Sequence, residues 1–335
     1  MSMTSREIVR RAIRFEDPER IPMSLPNPYP NDFMHSGVSG DPNGPQKPWH
    51  QLENGTWEMV DEWGNVWRRL ESISKGEVAR GAIESWEHMD RVYWPDYGNP
   101  ERYERAREAF AAEKSRFRIA GMPGFPFNIA RKMRRMENFL ADLVLEPDRI
   151  RALLKRVEDL LEKMIRNYGR AGADAVMFAE DWGTQDRLLV RPSAWKEFFL
   201  PGFERLCAAA KESGVAVFMH SCGYILDIIG PANEAGVDVF QLDQPQLMGV
   251  EKLDERFGGR ATFWCPVDIQ KTLQTRNEEK IVEDAKLMIR RLGGHAGGFI
   301  AGYYGSNEAL GLDPKWQDIA CRTFVKFAQG VPDSE

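Results

Sequence analysis

The stretch Val215-Ala216-Val217-Phe218-Met219-His220-Ser221-Cys222-Gly223 decides how the rest of the chain is read. Five apolar residues in succession suit a strand buried on both faces, as in a parallel sheet. The run then stops on a histidine and a cysteine two positions apart. Similar runs recur at Ala175-Val176-Met177-Phe178, Val237-Asp238-Val239-Phe240, Ala261-Thr262-Phe263-Trp264 and Gly298-Phe299-Ile300-Ala301. Helical stretches separate them. From Asp148 onward, Ile150, Leu153, Leu154, Val157, Leu160, Leu161, Met164 and Ile165 repeat at i, i+3, i+4. Pro147 suits the first turn of that helix and Gly172 the turn just beyond it. Further helices are expected over 192–213, 224–235, 277–292 and 314–328. Strands alternating with helices predict βαβ units. Five in succession predict an α/β fold, a (β/α)8 barrel of the TIM type.

The amino-terminal half is less regular. Ile21-Pro22-Met23-Ser24-Leu25 and Phe117-Arg118-Ile119-Ala120-Gly121 read as earlier barrel strands, which makes seven and leaves the eighth unplaced. The Pro-, Gly-, Asn- and Asp-rich segment 27–48 reads as a long loop. Residues 57–70, turning at Gly64-Asn65, read as an inserted β-hairpin. Long insertions over a barrel mouth commonly serve as lids. A length of 335 residues suggests two domains, but barrels reach this size as one unit. A single barrel domain over 1–335 is therefore expected.

Composition narrows the class. Lys and Arg total 45 against 51 Asp and Glu, and the net charge of -6 argues against a nucleic-acid partner. No apolar run approaches the ~18 residues that span a bilayer. The first twenty residues lack the apolar centre of a signal peptide. The expectation is a cytoplasmic enzyme with no membrane partner. Its four cysteines, at 207, 222, 265 and 321, show no CxxC spacing and read as reduced thiols. Cys207 and Cys321 fall on apolar helix faces and read as core filler. Cys222 and Cys265 close strands.

In a parallel barrel the reacting groups lie at the carboxyl ends of the strands. Those ends read Glu180-Asp181-Trp182-Gly183-Thr184-Gln185, His220-Ser221-Cys222-Gly223, Asp243-Gln244, Cys265-Pro266-Val267-Asp268 and Tyr303-Tyr304-Gly305-Ser306-Asn307. His220 and Cys222 offer the nitrogen and sulfur that zinc prefers, and Cys265 is a candidate third ligand. The plainer alternative is a hydrogen-bonded histidine beside a buried thiol. Glu180 and Asp181 suit general acid–base work, metal ligation or substrate binding, or else a helix cap or salt bridge. Asp268 is a catalytic candidate on the same terms. Gln185, Asp243, Tyr303 and Tyr304 are candidate substrate contacts. His295 sits before a strand, at the opposite end of the barrel; His35 and His50 fall in the lid segment, and His88 reads as a surface residue. GxGxxG after a strand, the Walker loop, HExxH and GxSxG are all missing.

Taken together these motifs resemble the uroporphyrinogen decarboxylase superfamily, in its branch of corrinoid-linked methyltransferases. The likeness is carried by Thr4-Ser5-Arg6-Glu7, Asp17-Pro18-Glu19-Arg20-Ile21-Pro22, Asp61-Glu62-Trp63-Gly64, Asp181-Trp182-Gly183-Thr184-Gln185, His220-Ser221-Cys222-Gly223 and Phe263-Trp264-Cys265-Pro266-Val267-Asp268. It implies a (β/α)8 barrel. The decarboxylases carry an arginine-rich stretch for their polycarboxylate substrate, whereas Ile21-Pro22-Met23-Ser24-Leu25-Pro26-Asn27-Pro28-Tyr29 has no arginine. The methyltransferase branch holds a catalytic zinc with His-x-Cys and a later Cys on the last strand. His220 and Cys222 match, but Phe299-Ile300-Ala301-Gly302-Tyr303-Tyr304 has no cysteine. Either Cys265 substitutes from an earlier strand, or the metal site differs or is missing. The resemblance implies a zinc-dependent methyltransferase acting on a small methylated substrate, with cobalamin supplied by a separate corrinoid protein. It also implies a homodimer. The rival readings are a lyase or decarboxylase for a small acid, and a barrel that only binds a ligand or corrinoid protein.

Overall fold

The computed structural model describes residues 2–71 and 74–332. The chain opens with helix α1 (Ser5–Arg14), whose cap is legible in Thr4-Ser5-Arg6-Glu7: the Thr4 hydroxyl accepts the Glu7 N–H at 3.2 Å. Strand β1 (Phe33–Gly37) follows, then an insert of β2 (Lys47–Gln51), β3 (Trp57–Val60), β4 (Val66–Arg69) and β5 (Glu77–Arg80). These four pair antiparallel in sequence order. The expected 57–70 hairpin is its centre.

The remaining chain alternates. After α2 (Glu104–Ala112) comes β6 (Phe117–Gly121), followed by α3 (Pro126–Arg134), α4 (Met136–Leu145) and α5 (Pro147–Ala171). Then come β7 (Ala175–Ala179), α6 (Pro192–Phe198), α7 (Leu200–Glu212), β8 (Ala216–His220) and α8 (Leu226–Ala235). The last units are β9 (Val239–Gln241), α9 (Val250–Phe257), β10 (Thr262–Cys265), α10 (Glu278–Leu292), β11 (Phe299–Ala301) and α11 (Lys315–Lys326). Pro147 opens α5, and Gly172 closes it at φ 88°, as the pattern predicts. The single helix expected over 192–213 is instead two. Pro201 has no N–H to donate, and it stands in the first turn of the second helix.

Among the described residues, β1 and β6 to β11 form one parallel sheet in the order β1-β6-β7-β8-β9-β10-β11. The ring closes through residues 22–24. The Ser24 N–H donates to the Ala301 carbonyl at 2.8 Å, Ala301 N–H to that of Pro22 at 2.9 Å, and Asp32 N–H to that of Met23 at 2.8 Å. This is the TIM-type barrel. The strand that sequence reading left unplaced is Phe33–Gly37, inside the segment read as a loop. Its Phe-Met-His-Ser-Gly lacks an apolar run because only Phe33 is buried. Lys47–Gln51, in the same segment or just beyond, is also a strand, and an exposed one with no apolar alternation to reveal it.

Side chains fill the barrel. Phe33, Phe117, Ile119, Phe218, Val239, Trp264 and Ile300 form its interior, with Val9 of α1 in the same cluster. The Phe33 ring stacks on Trp264 at 4.8 Å between centroids. At the amino end, Asp174 binds α1 and β6 together through Arg6 at 2.7 Å, Arg10 at 2.8 Å and Arg118 at 3.0 Å. With that end closed, the open face is the one at the strands' carboxyl ends. No helix of the described residues is long and apolar enough to cross a membrane.

Candidate metal centre at the barrel mouth

The loops after β7 and β8 touch backbone to backbone. A Cβ on Gly183 would lie 2.4 Å from the Gly223 carbonyl carbon, and one on Gly223 would lie 2.3 Å from the Gly183 oxygen. Gly223 also takes φ 77°, which side chains resist. Hydrogen bonds lace the contact: Gly183 N–H to the Cys222 carbonyl at 3.2 Å, and Tyr224 N–H to that of Thr184 at 2.8 Å. Trp182 N–H donates to the Ser221 hydroxyl at 3.1 Å, and Gly223 N–H to the Gln244 side chain at 2.9 Å. Two loops are thus held as one surface.

On that surface stand Asp181, His220 and Cys222. One carboxylate oxygen, one ring nitrogen and one sulfur lie within 4.8 Å of one another, each residue half-buried. His220 Nε2 is 3.4 Å from Asp181 Oδ1 and 3.4 Å from Cys222 Sγ. Its Nδ1 bonds the Gln241 side-chain oxygen, whose amide nitrogen donates to Asp243 at 2.8 Å. That chain fixes the amide, and the amide oxygen makes Nδ1 the donor, which leaves Nε2 facing the other two groups. Asp181 Oδ1 also accepts the Cys222 N–H at 3.1 Å, and Oδ2 faces Arg131 at 3.6 Å. Burial disfavours charge on both partners. The contact with Asp181, then that with Cys222, nevertheless hold His220 well above its usual pKa, and the His220 contact holds Asp181 well below the carboxylate range.

The other candidates divide. Asp243, Tyr303 and Tyr304 line a cavity of about 270 Å³ at the mouth, together with His35, Gln241 and Trp264. Gln185 is exposed on the turn beyond Asp181 and lies outside this cavity. Cys265, expected as the third ligand, is fully buried and stands outside the metal-competent group. It closes β10 pointing into packed core, and burial, then Asp243, push its thiol well above the ordinary range. Asp181, and not Cys265, stands with His220 and Cys222 in that group. Asp268 is fully buried, with its oxygens on the N–H groups of Gln246, Gln270 and Lys271 at 3.0, 2.9 and 2.6 Å. It shapes the loop after β10 instead of facing the mouth. Glu180 lies beneath the mouth with no exposure, accepting the Asn128 N–H of α3 at 2.9 Å. Its other oxygen has no partner among the described residues, and burial pushes its pKa up to about 8. His295, at the amino end as expected, bonds Asp254 at 2.5 Å.

Sequence reading missed Gln241 and Arg131. Gln241 ends β9 one strand over from His220, and its position at a strand end was the available signal. Arg131 lies on α3, whose short pattern carries no comparable mark.

Comparison with known proteins places the chain. The uroporphyrinogen decarboxylase (URO-D) family model matches residues 75–304. Proteins called uroporphyrinogen decarboxylase in Bacillus cereus (strain B4264) and Bacillus anthracis are each 28% identical over 132 residues, 37% of this chain and 36% of theirs. The match thus spans about a third of the length of these relatives. A methyltransferase from Methanosarcina mazei shares the fold over 97% of this chain and 99% of its own, at 15% identity and a TM-score of 0.62.

Proposed function

The chain belongs to the uroporphyrinogen decarboxylase family, and within it we propose a zinc-dependent methyltransferase that exchanges a methyl group between a small methylated substrate, such as a methyl ether, and a separate corrinoid protein. One observation carries the reading: an oxygen, a nitrogen and a sulfur donor converge within 4.8 Å at the carboxyl ends of β7 and β8. A catalytic zinc takes three protein ligands of these types and keeps a position open. The donor set therefore fits the ion, with Asp181, His220 and Cys222 as its holders. When bound, zinc supplies Lewis acidity to the heteroatom that bears or accepts the methyl group.

The remaining work falls to this chain's own side chains. Gln241, anchored by Asp243, presents His220 Nε2 to the site. Arg131 steadies Asp181 from the side away from His220. Trp264, Tyr303 and Tyr304 offer the substrate apolar walls and two hydroxyls. Porphyrinogen decarboxylation is a poorer match. The segment 21–29 carries no arginine, and Arg20 just before it is spent on Asp32 at 2.6 and 2.8 Å.

Elemental analysis of the purified protein, with methyl transfer from a panel of methyl ethers and thioethers to a corrinoid followed by absorbance, tests the reading. About one zinc per chain is expected, falling at least ten-fold in His220→Ala and Cys222→Ala together with activity. A chain without zinc and without methyl transfer, which turns over a small acid undiminished by both substitutions, would instead be a metal-free lyase or decarboxylase working in the same mouth. Binding of a corrinoid protein without turnover of any substrate would leave only a binding barrel.

A further inference from the structure

A second cavity, of about 280 Å³, lies on the rim of the mouth between the four-stranded insert and α3. Its apolar walls are Trp63 and Trp67 of the insert, Pro123 from the loop after β6, and Ile129 of α3; Lys132 completes it. The acceptors at its edge are already in use. Asp61 accepts the N–H groups of Trp63 and Asn65, the Asn65 amide and the Trp67 indole, at 2.7–3.0 Å. Glu62 is held by Asp41 N–H at 2.8 Å, by the Tyr97 hydroxyl at 3.0 Å and by Arg102. The Asn65 side-chain oxygen takes the Ala82 N–H at 3.0 Å.

The donors are a different matter. The Lys132 ammonium stands 5.3 Å from the centroid of the Trp67 ring, within cation–π range. Among the described residues it has neither a carboxylate at ion-pair distance nor a hydrogen-bond acceptor. Trp63, only 5% exposed, has an indole N–H with no acceptor either. Burial, then the neighbouring Arg131, lower the Lys132 pKa, as expected for a charge removed from water without a partner. A cavity with apolar walls, spent acceptors and an unpaired ammonium complements a ligand whose polar end only accepts.

We propose that this cavity binds a small monocarboxylate with a compact, flat apolar body, its carboxylate on Lys132 and its body against Trp67, Pro123 and Ile129. The site is separate from the metal-competent group and does not rest on the methyltransferase reading. A two-carboxylate or bulky ligand does not fit it, because Lys132 is the one cation in its wall among the described residues and the volume holds about a single ring.

The test is a fluorine NMR titration of the full chain with 4-fluorobenzoate and its neutral counterpart 4-fluorobenzamide. Wild-type protein is expected to bind the benzoate at least ten-fold more tightly than the amide. Lys132→Met, which keeps the stem length, should weaken the benzoate at least ten-fold and leave the amide unchanged. Cys222→Ala should bind the benzoate as wild type does, so loss of the metal reading leaves this one standing. Equal affinity for acid and amide in the wild type overturns the proposal without recourse to a variant. So does the absence of benzoate binding, or Lys132→Met binding it undiminished.

Discussion

Gln241 shows how much one side chain outside the ligand set can decide. It touches His220 on the nitrogen opposite Asp181 and Cys222, and Asp243 anchors it in turn. Partners of this kind set the orientation of a ligating imidazole, and losing one typically costs 10- to 100-fold in metal affinity. Gln241→Leu is accordingly expected to weaken zinc binding by about 10- to 100-fold in a chelator competition while the melting temperature stays close to wild type. Unchanged affinity would make the contact packing alone. Residues of this class were partly legible from the chain. His220, Cys222 and Asp181 were singled out because strand ends in a parallel barrel face one mouth. That Asp181 and not Cys265 completes the group was not legible. Cys265 ends a strand and Asp181 lies just beyond one, and the direction of each side chain separates them: Cys265 is turned into the core and Asp181 toward Arg131.

At the scale of elements, the site is a product of two loops that interlock. Gly183 and Gly223 are the positions where the backbones after β7 and β8 meet too closely for any side chain. Gly223→Ala places a methyl group against the Gly183 oxygen and forces a residue with Cβ to φ 77°. A cost of about 2 kcal/mol is expected, the order of strain for such a conformation with a clash added. Zinc affinity should fall with it, although Gly223 supplies no ligand. Denaturant unfolding and metal titration of the same sample check both. If stability falls but zinc affinity does not, the interlocking does not set the ligand positions. Neighbouring elements explain other differences between pattern and structure. Phe33–Gly37 joins the barrel with one buried side chain, because all five of its residues are in parallel register with β6. A strand held that way needs no apolar run of its own.

For the whole molecule, the amino end is held by charge and the carboxyl end is left open for chemistry. Asp174 is almost fully buried and receives Arg6 and Arg10 from α1 and Arg118 from β6. Burial opposes its ionisation, but the bonds from Arg118 and Arg6 prevail, so its carboxyl titrates below the ordinary value. The linkage therefore stabilises the fold fully above about pH 4 and is lost as pH falls through the lower folded-state value. Asp174→Asn should cost about 3 kcal/mol near neutral pH, the low end for a buried ion pair because Arg6 and Arg10 reach solvent. The difference from wild type should shrink in acid, and thermal melts from pH 7 to pH 2 measure it. A difference independent of pH would refute the charge argument. The barrel itself was settled by the sequence alone, since apolar runs alternating with amphipathic helices can bury their surface in few ways. Two members of the metal-competent group, His220 and Cys222, stand out as candidates in the sequence by their place at a strand end. The place of Asp181 beside His220 and Cys222, the brace on His220 and the lysine niche beside the mouth belong to the tertiary structure alone. Each joins residues far apart in the chain, and its chemistry depends on where side chains point, which local pattern does not encode.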